Sequence, residues 1–158
     1  MPRSVNRTAA YAGIAAGILA TGVQVALWWA FTDALPEMLF RDARLAAAIV
    51  MGRGVLPPPA TFDWSVMLVA TLVHFALSVV YGLILAPRLA CLDMLQSLLA
   101  GAVFGLVLYG VNMYGFTAVF PWFIASRDWI TGLTHIAFGV SLAATYKTLS
   151  GIGSEFKK

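Results

Sequence analysis

Charge is scarce in this 158-residue chain: Asp, Glu, Lys and Arg make up 11% of it, where a soluble domain carries about one quarter. Cysteine is nearly absent. A lone Cys91 rules out an intrachain disulfide framework, and without a Cys-x2-Cys-His there is no covalent haem attachment. The net charge of +3 is small and its basic residues are scattered, which excludes a nucleic-acid footprint. No Gly-rich loop ending in Lys is present to cradle phosphate. The long apolar runs hold no Asp or Glu, so the expected fold has no intramembrane carboxylate relay. The same lack leaves Ser and His without the acidic orienter of a hydrolase triad. These absences point to a non-enzymatic protein.

What the chain does have is apolar surface: 61% hydrophobic residues and a mean hydropathy of +0.86. So short a chain cannot bury that much inside itself, and the natural solvent is lipid. About 20 apolar residues cross the hydrocarbon, and four runs reach that length, at 9–31, 66–86, 98–120 and 129–149. Backbone in lipid must satisfy its own hydrogen bonds, and strand-type alternation is missing, so the runs are read as helices. The first follows Arg3 and Arg7 like a signal peptide, but it is too long for a signal h-region and no cleavage site follows, so it is expected to be retained. The expected fold class is all-α: an integral-membrane four-helix bundle forming a single transmembrane domain over 1–149, with a flexible tail over 150–158.

With the N-terminus inside, the cytoplasmic segments hold Arg3, Arg7, Arg88, Lys147, Lys157 and Lys158. The outer loops hold Arg41, Arg44, Arg53 and Arg127. That bias places both termini in the cytoplasm. Lys147, at the end of the fourth run, is expected to snorkel. Trp28, Trp29, Trp64, Trp122 and Trp129 fall near the outer ends and Tyr11, Tyr81 and Tyr146 near the inner ends, as interfacial anchors do. The long first outer loop contains Glu37, Arg41 and Arg44 on one face and Met38, Leu45 and Ile49 on another. This predicts an amphipathic helix over about 36–51, lying on the membrane or folded over the bundle mouth.

The first and third runs match at an offset of 88 positions, pairing Gly13, Gly17, Gly22 and Gln24 with Gly101, Gly105, Gly110 and Asn112. The second and fourth match at an offset of 61, pairing His74 with His135 and Ser78 with Gly139. The pattern predicts a duplicated helical hairpin with a pseudo-twofold along the membrane normal. Gly13, Gly17, Gly101 and Gly105 are expected to be packing seams, within the bundle or between protomers.

Each run carries one strongly polar side chain at similar depth: Gln24, His74, Asn112 and His135. At 1.5 Å per residue they lie about 9–12 Å below the outer boundary, and polar groups there face the bundle interior. Four readings stand for this layer. It pairs helices by hydrogen bonds. Alternatively, His74 and His135 are axial ligands to haem b; the layer holds a metal ion with an incomplete ligand set; or it lines a path for a small solute.

The stretches Asn6-Arg7-Thr8-Ala9-Ala10-Tyr11-Ala12-Gly13 and Leu72-Val73-His74-Phe75-Ala76-Leu77-Ser78 resemble a group of small four-span proteobacterial inner-membrane proteins, often named "sodium:proline symporter" and loosely similar to YagU-type proteins. The resemblance implies a four-span fold in the bacterial inner membrane and assigns no site residues. The expected function is a non-enzymatic accessory or transport-type membrane component, working with a second copy or within a larger membrane assembly. The alternative is a haem b electron-transfer protein.

Overall fold

The computed structural model describes residues 3–155. Five α-helices follow one another: α1 (Arg3–Phe31), α2 (Glu37–Met51), α3 (Trp64–Leu89), α4 (Met94–Gly110) and α5 (Trp129–Glu155), with no strand among the described residues. Three of the described helical stretches are long and apolar enough to cross a membrane: Val5–Phe31, Trp64–Leu89 and Met94–Ala118. They are consistent with a small multi-pass membrane protein. Large apolar side chains such as Ile18, Leu72, Leu99 and Val103 stand on the exposed surface, where lipid would cover them.

α5 is long enough to cross, at 27 residues, but Thr131, Thr134, His135, Thr145, Tyr146 and Lys147 dilute its apolar character. It can carry them because it is the most enclosed helix. The helices form a row α3–α1–α5–α4, in which α5 packs broadly on both α4 and α1, α1 packs on α3, and α2 lies against α3. The buried face of α5 runs through Ile130, Thr134, Phe138, Leu142 and Tyr146, a spacing of four that follows the helical repeat.

Carboxylates are missing from the apolar runs because several of them start helices. Asp63 accepts from the backbone N–H of Ser65 and Val66 at the head of α3. Asp93 forms a capping box with Gln96 on α4, and Asp128 accepts from the N–H of Thr131 on α5. Each satisfies backbone donors that the first helical turn leaves free.

Two helix ends differ from the expected ones. The third run is regular only to Gly110; Val111–Gly115 is a π-helical turn and Phe116–Ala118 a 3-10 turn. Arg127 supports this break, donating to the Met113 carbonyl and, at 2.7 Å, to the Thr117 hydroxyl. Lys147, half-buried, donates from Nζ to the carbonyls of Leu92 at 2.6 Å and Leu89 at 3.4 Å, a cation placed on the C-terminal end of α3. α5 runs past 149, the expected end of the fourth run, to Glu155, into the segment read as a tail. Gly151 and Gly153 weaken a helix without stopping it, as no Pro follows. Residues 156–158 of that tail lie outside the described residues.

The aromatic anchors also need correction. Trp29, Trp64 and Trp129 are exposed, but Trp28 is only 2% exposed and Tyr146 is buried in the core. Trp122 donates its indole N–H to the Leu45 carbonyl of α2 at 3.0 Å. Sequence position along a span gives depth but not the direction of a side chain around the helix.

All four seam glycines are used inside the chain. A Cβ on Gly13 would strike the Ser78 carbonyl of α3, and one on Gly17 would lie 3.0 Å from His74 Nε2. A Cβ on Gly101 would strike the Gly139 carbonyl of α5, and one on Gly105 would lie 2.8 Å from the His135 carbonyl carbon. The α1–α3 and α4–α5 pairs therefore pack through corresponding positions. The contacts between pairs do not correspond: α1 packs broadly on α5, whereas α3 barely touches α4. The end of the molecule away from α2 is filled by Ala9, Ala12, Ala16, Leu85, Leu89, Leu142 and Ala143.

Candidate functional site

Gln24, His74, Asn112 and His135 come from α1, α3, the π-turn after α4, and α5, and they do converge. Gln24, His74 and His135 line a cavity of about 450 Å³ towards α2. All four residues line a second cavity of about 160 Å³, deeper in the molecule, together with Ser78, Tyr81 and Phe138. The larger volume falls within the usual range of ligand sites.

The two histidines have different surroundings. Tyr81 donates its hydroxyl to Asn112 Oδ1 at 2.9 Å, which leaves Asn112 Nδ2 to donate to His135 Nε2 at 3.2 Å. His135 Nδ1 then carries the proton and donates to the Thr131 carbonyl at 2.8 Å. The network thus assigns a neutral ring protonated at Nδ1. On the other side, His74 Nε2 faces the Gly17 carbonyl at 3.2 Å, so that nitrogen carries the proton, with the Thr21 hydroxyl 3.4 Å away. Asn112 reaches His135 from a π-turn, a device that re-aims side chains in apolar helices. Nothing in the residue order marks that turn.

A bis-histidine haem would compete with these bonds. Axial ligation through both Nε2 atoms needs two free lone pairs, but His135 Nε2 accepts from Asn112 and His74 Nε2 is the protonated nitrogen. In this arrangement both Nε2 atoms are engaged by protein groups. Among the described residues no cluster of three or more His, Cys, Asp or Glu comes together, and the amides beside the histidines do not complete a metal ligand set.

α2 folds over the cavity rather than lying apart from the other helices. Ala43, Leu45, Ala47 and Ala48 are buried, and Leu39, Asp42, Ala43, Leu45 and Ala46 line the cavity. Arg44 holds the connection behind α2, donating to the carbonyls of Val55 at 2.8 Å and Thr61 at 3.1 Å. Arg53 lies over the Trp122 ring at 5.6 Å.

Asp42 is the residue that sequence reasoning missed. The absence of acids from the spans implied a site without a carboxylate, yet α2 delivers one to it. Arg41 pairs with Asp42 Oδ1 at 2.8 Å, the Ser126 hydroxyl donates to the same oxygen at 3.2 Å, and Gln24 Nε2 lies 3.4 Å from Oδ2. Burial pushes the Asp42 carboxyl above its ordinary value, with Arg41 and Ser126 opposing the shift. In sequence, the clue was an acid next to Arg41 on a helix whose other face is apolar; its contact with Gln24 depends on tertiary placement.

Compared with protein-family models, curated proteins and solved structures, the chain matches none.

Proposed function

We propose that this is a small inner-membrane protein that crosses the bilayer four times, α5 included, and serves as a non-enzymatic accessory or transport-type component by binding a small molecule under α2. The supporting observation is the blind shape of the polar interior. Gln24, Thr134 and His135 line both cavities, and beyond the smaller one the packed Ala and Leu core closes the far end. An interior that ends on a packed apolar core suits a binding cavity or one state of a carrier better than an open pore.

The matching glycine contacts of α1–α3 and α4–α5 support an origin by duplication of a hairpin, with departure from the twofold where α1 packs on α5. The proposed setting is the bacterial inner membrane with both termini cytoplasmic, in line with the resemblance to small four-span proteobacterial proteins. The proposed partners are a second copy or a larger membrane assembly. Since the four seam glycines are occupied within the chain, any such partner must use another face.

Thiol labelling tests the reading. In a Cys91→Ser background, Thr134→Cys should react with a small thiol reagent added on the outer side and stay unreactive from the cytoplasmic side. Reaction from both sides would indicate a continuous pore and sink the blind-cavity reading.

A further inference from the structure

The side chains that line the larger cavity have spent nearly all their donors. The hydroxyls of Thr21, Thr71 and Thr134 each donate to the carbonyl four residues back in their own helix, and Ser126 donates to Asp42. His74 donates from Nε2 to the Gly17 carbonyl, and His135 donates from Nδ1 to the Thr131 carbonyl. The indole N–H of Trp28 and the Thr131 hydroxyl have no partner, but both are sealed off from accessible space and cannot reach a ligand. The one donor left is the second N–H of the Gln24 amide, whose nitrogen is turned to Asp42 Oδ2 at 3.4 Å.

Acceptors remain. A carboxylate only accepts, so the bond to Asp42 fixes Oε1 as the free end of the Gln24 amide. His74, protonated at Nε2, keeps a lone pair on Nδ1. Neither atom has a partner among the described residues, and neither belongs to the sealed unpartnered atoms, which are Trp28 Nε1, Arg44 Nε, Ser97 Oγ and Thr131 Oγ1. Both atoms therefore carry accessible surface. Their residues are half-buried and line both cavities, and the Gln24 amide meets Asp42 on the wall of the larger one. Asp42 is itself met by Arg41 at 2.8 Å, so the pair leaves no net charge for an ionic ligand. The rest of the wall is largely apolar, with Val25, Leu39, Met67 and Phe75 in it.

We propose that the larger cavity takes an uncharged molecule of the alcohol or phenol class, with an apolar body and an O–H that donates to Gln24 Oε1. The His74 Nδ1 lone pair accepts a second donor where the ligand has one. A wall of acceptors set among apolar side chains selects against a molecule that only accepts, since its oxygen leaves water and gains little in return. This rests on the cavity being a binding site and names the chemical class that the site selects.

The test uses the full chain in lipid nanodiscs with two probes, 4-butylphenol and 4-butylanisole, each measured against protein-free nanodiscs. The anisole keeps the ring and the oxygen but has lost the O–H. The phenol should bind saturably and about 5-fold more tightly than the anisole, the value of one neutral hydrogen bond. Gln24→Met keeps the length of the side chain and removes the acceptor. It should bring phenol binding down to that of the anisole and leave anisole binding as it was. Ser97→Ala removes a hydroxyl outside both cavities and should leave the preference intact. Equal binding of both probes to the unaltered chain would overturn the donor assignment, whether or not Gln24→Met folds. Equal losses for both probes in Gln24→Met would show that the amide only holds α2 in place, and would overturn it too. Failure of both probes to bind saturably would overturn the ligand class, while the Thr134→Cys labelling decides the wider cavity reading independently.

Discussion

Each nitrogen of His135 has an assigned partner. Asn112 fixes Nε2 as the acceptor and the Thr131 carbonyl fixes Nδ1 as the donor. A 15N spectrum of the histidines should therefore show His135 as the Nδ1-protonated tautomer, and Asn112→Leu should release that preference. Asn112→Leu also strands the Tyr81 hydroxyl, so it should cost more stability than Tyr81→Phe, each interhelical bond being worth about 0.6 kcal/mol in a membrane. Equal losses in detergent unfolding would show that the three groups do not act as a network. Asp42 makes a second prediction. Its carboxyl is raised above 3.8 by burial, so the folded protein holds that proton more tightly than the unfolded chain. The associated stability is fully present below 3.8 and is lost as pH rises through the folded value. Melting curves of Asp42→Asn should lack this fall, and a wild type that instead loses stability relative to Asp42→Asn on acidification would contradict the assignment.

Helix pairs in this protein are set by the distance between backbones. At Gly105 an added methyl meets His135 backbone within 2.8 Å, whereas Gly22 of α1 has nothing within 4 Å. Gly105→Ala should destabilise by about 1–3 kcal/mol, as overpacking does. Gly22→Ala should be neutral or stabilise by up to about 1 kcal/mol through helix propensity. Thermal unfolding of both variants in one detergent checks the contrast, and equal effects would mean that α4 and α5 are not in close contact. The four seam positions were legible because small residues at every fourth place mark a close face. Which helix they meet was not, since the pattern has no partner written into it.

For the molecule as a whole, the two functional readings part on the histidines. Haem ligation would have to displace Asn112 from His135 and deprotonate His74 Nε2. Protein incubated with haem and then freed of unbound haem should accordingly show no Soret band. A band abolished by both His74→Ala and His135→Ala would restore the redox alternative. Reporter fusions to each terminus test the four crossings, and a periplasmic C-terminus would sink them. Mass measurement of the detergent-solubilised protein tests for a partner; a strict monomer with nothing co-purifying would count against an accessory role.

The residue order alone determined the helical class, the apolar segments and the common depth of the polar layer, because hydropathy and rise per residue act along one chain. It also marked α2 as a two-faced helix. Tertiary structure decided which way each side chain turns. It buried Trp28, aimed Asn112 from a π-turn that needs Arg127 to hold its carbonyl, set Lys147 on the end of α3, and swung Asp42 down to Gln24. Each of these depends on a hydrogen bond or close contact between residues well separated in the chain, and periodicity along one segment carries no information about such a meeting.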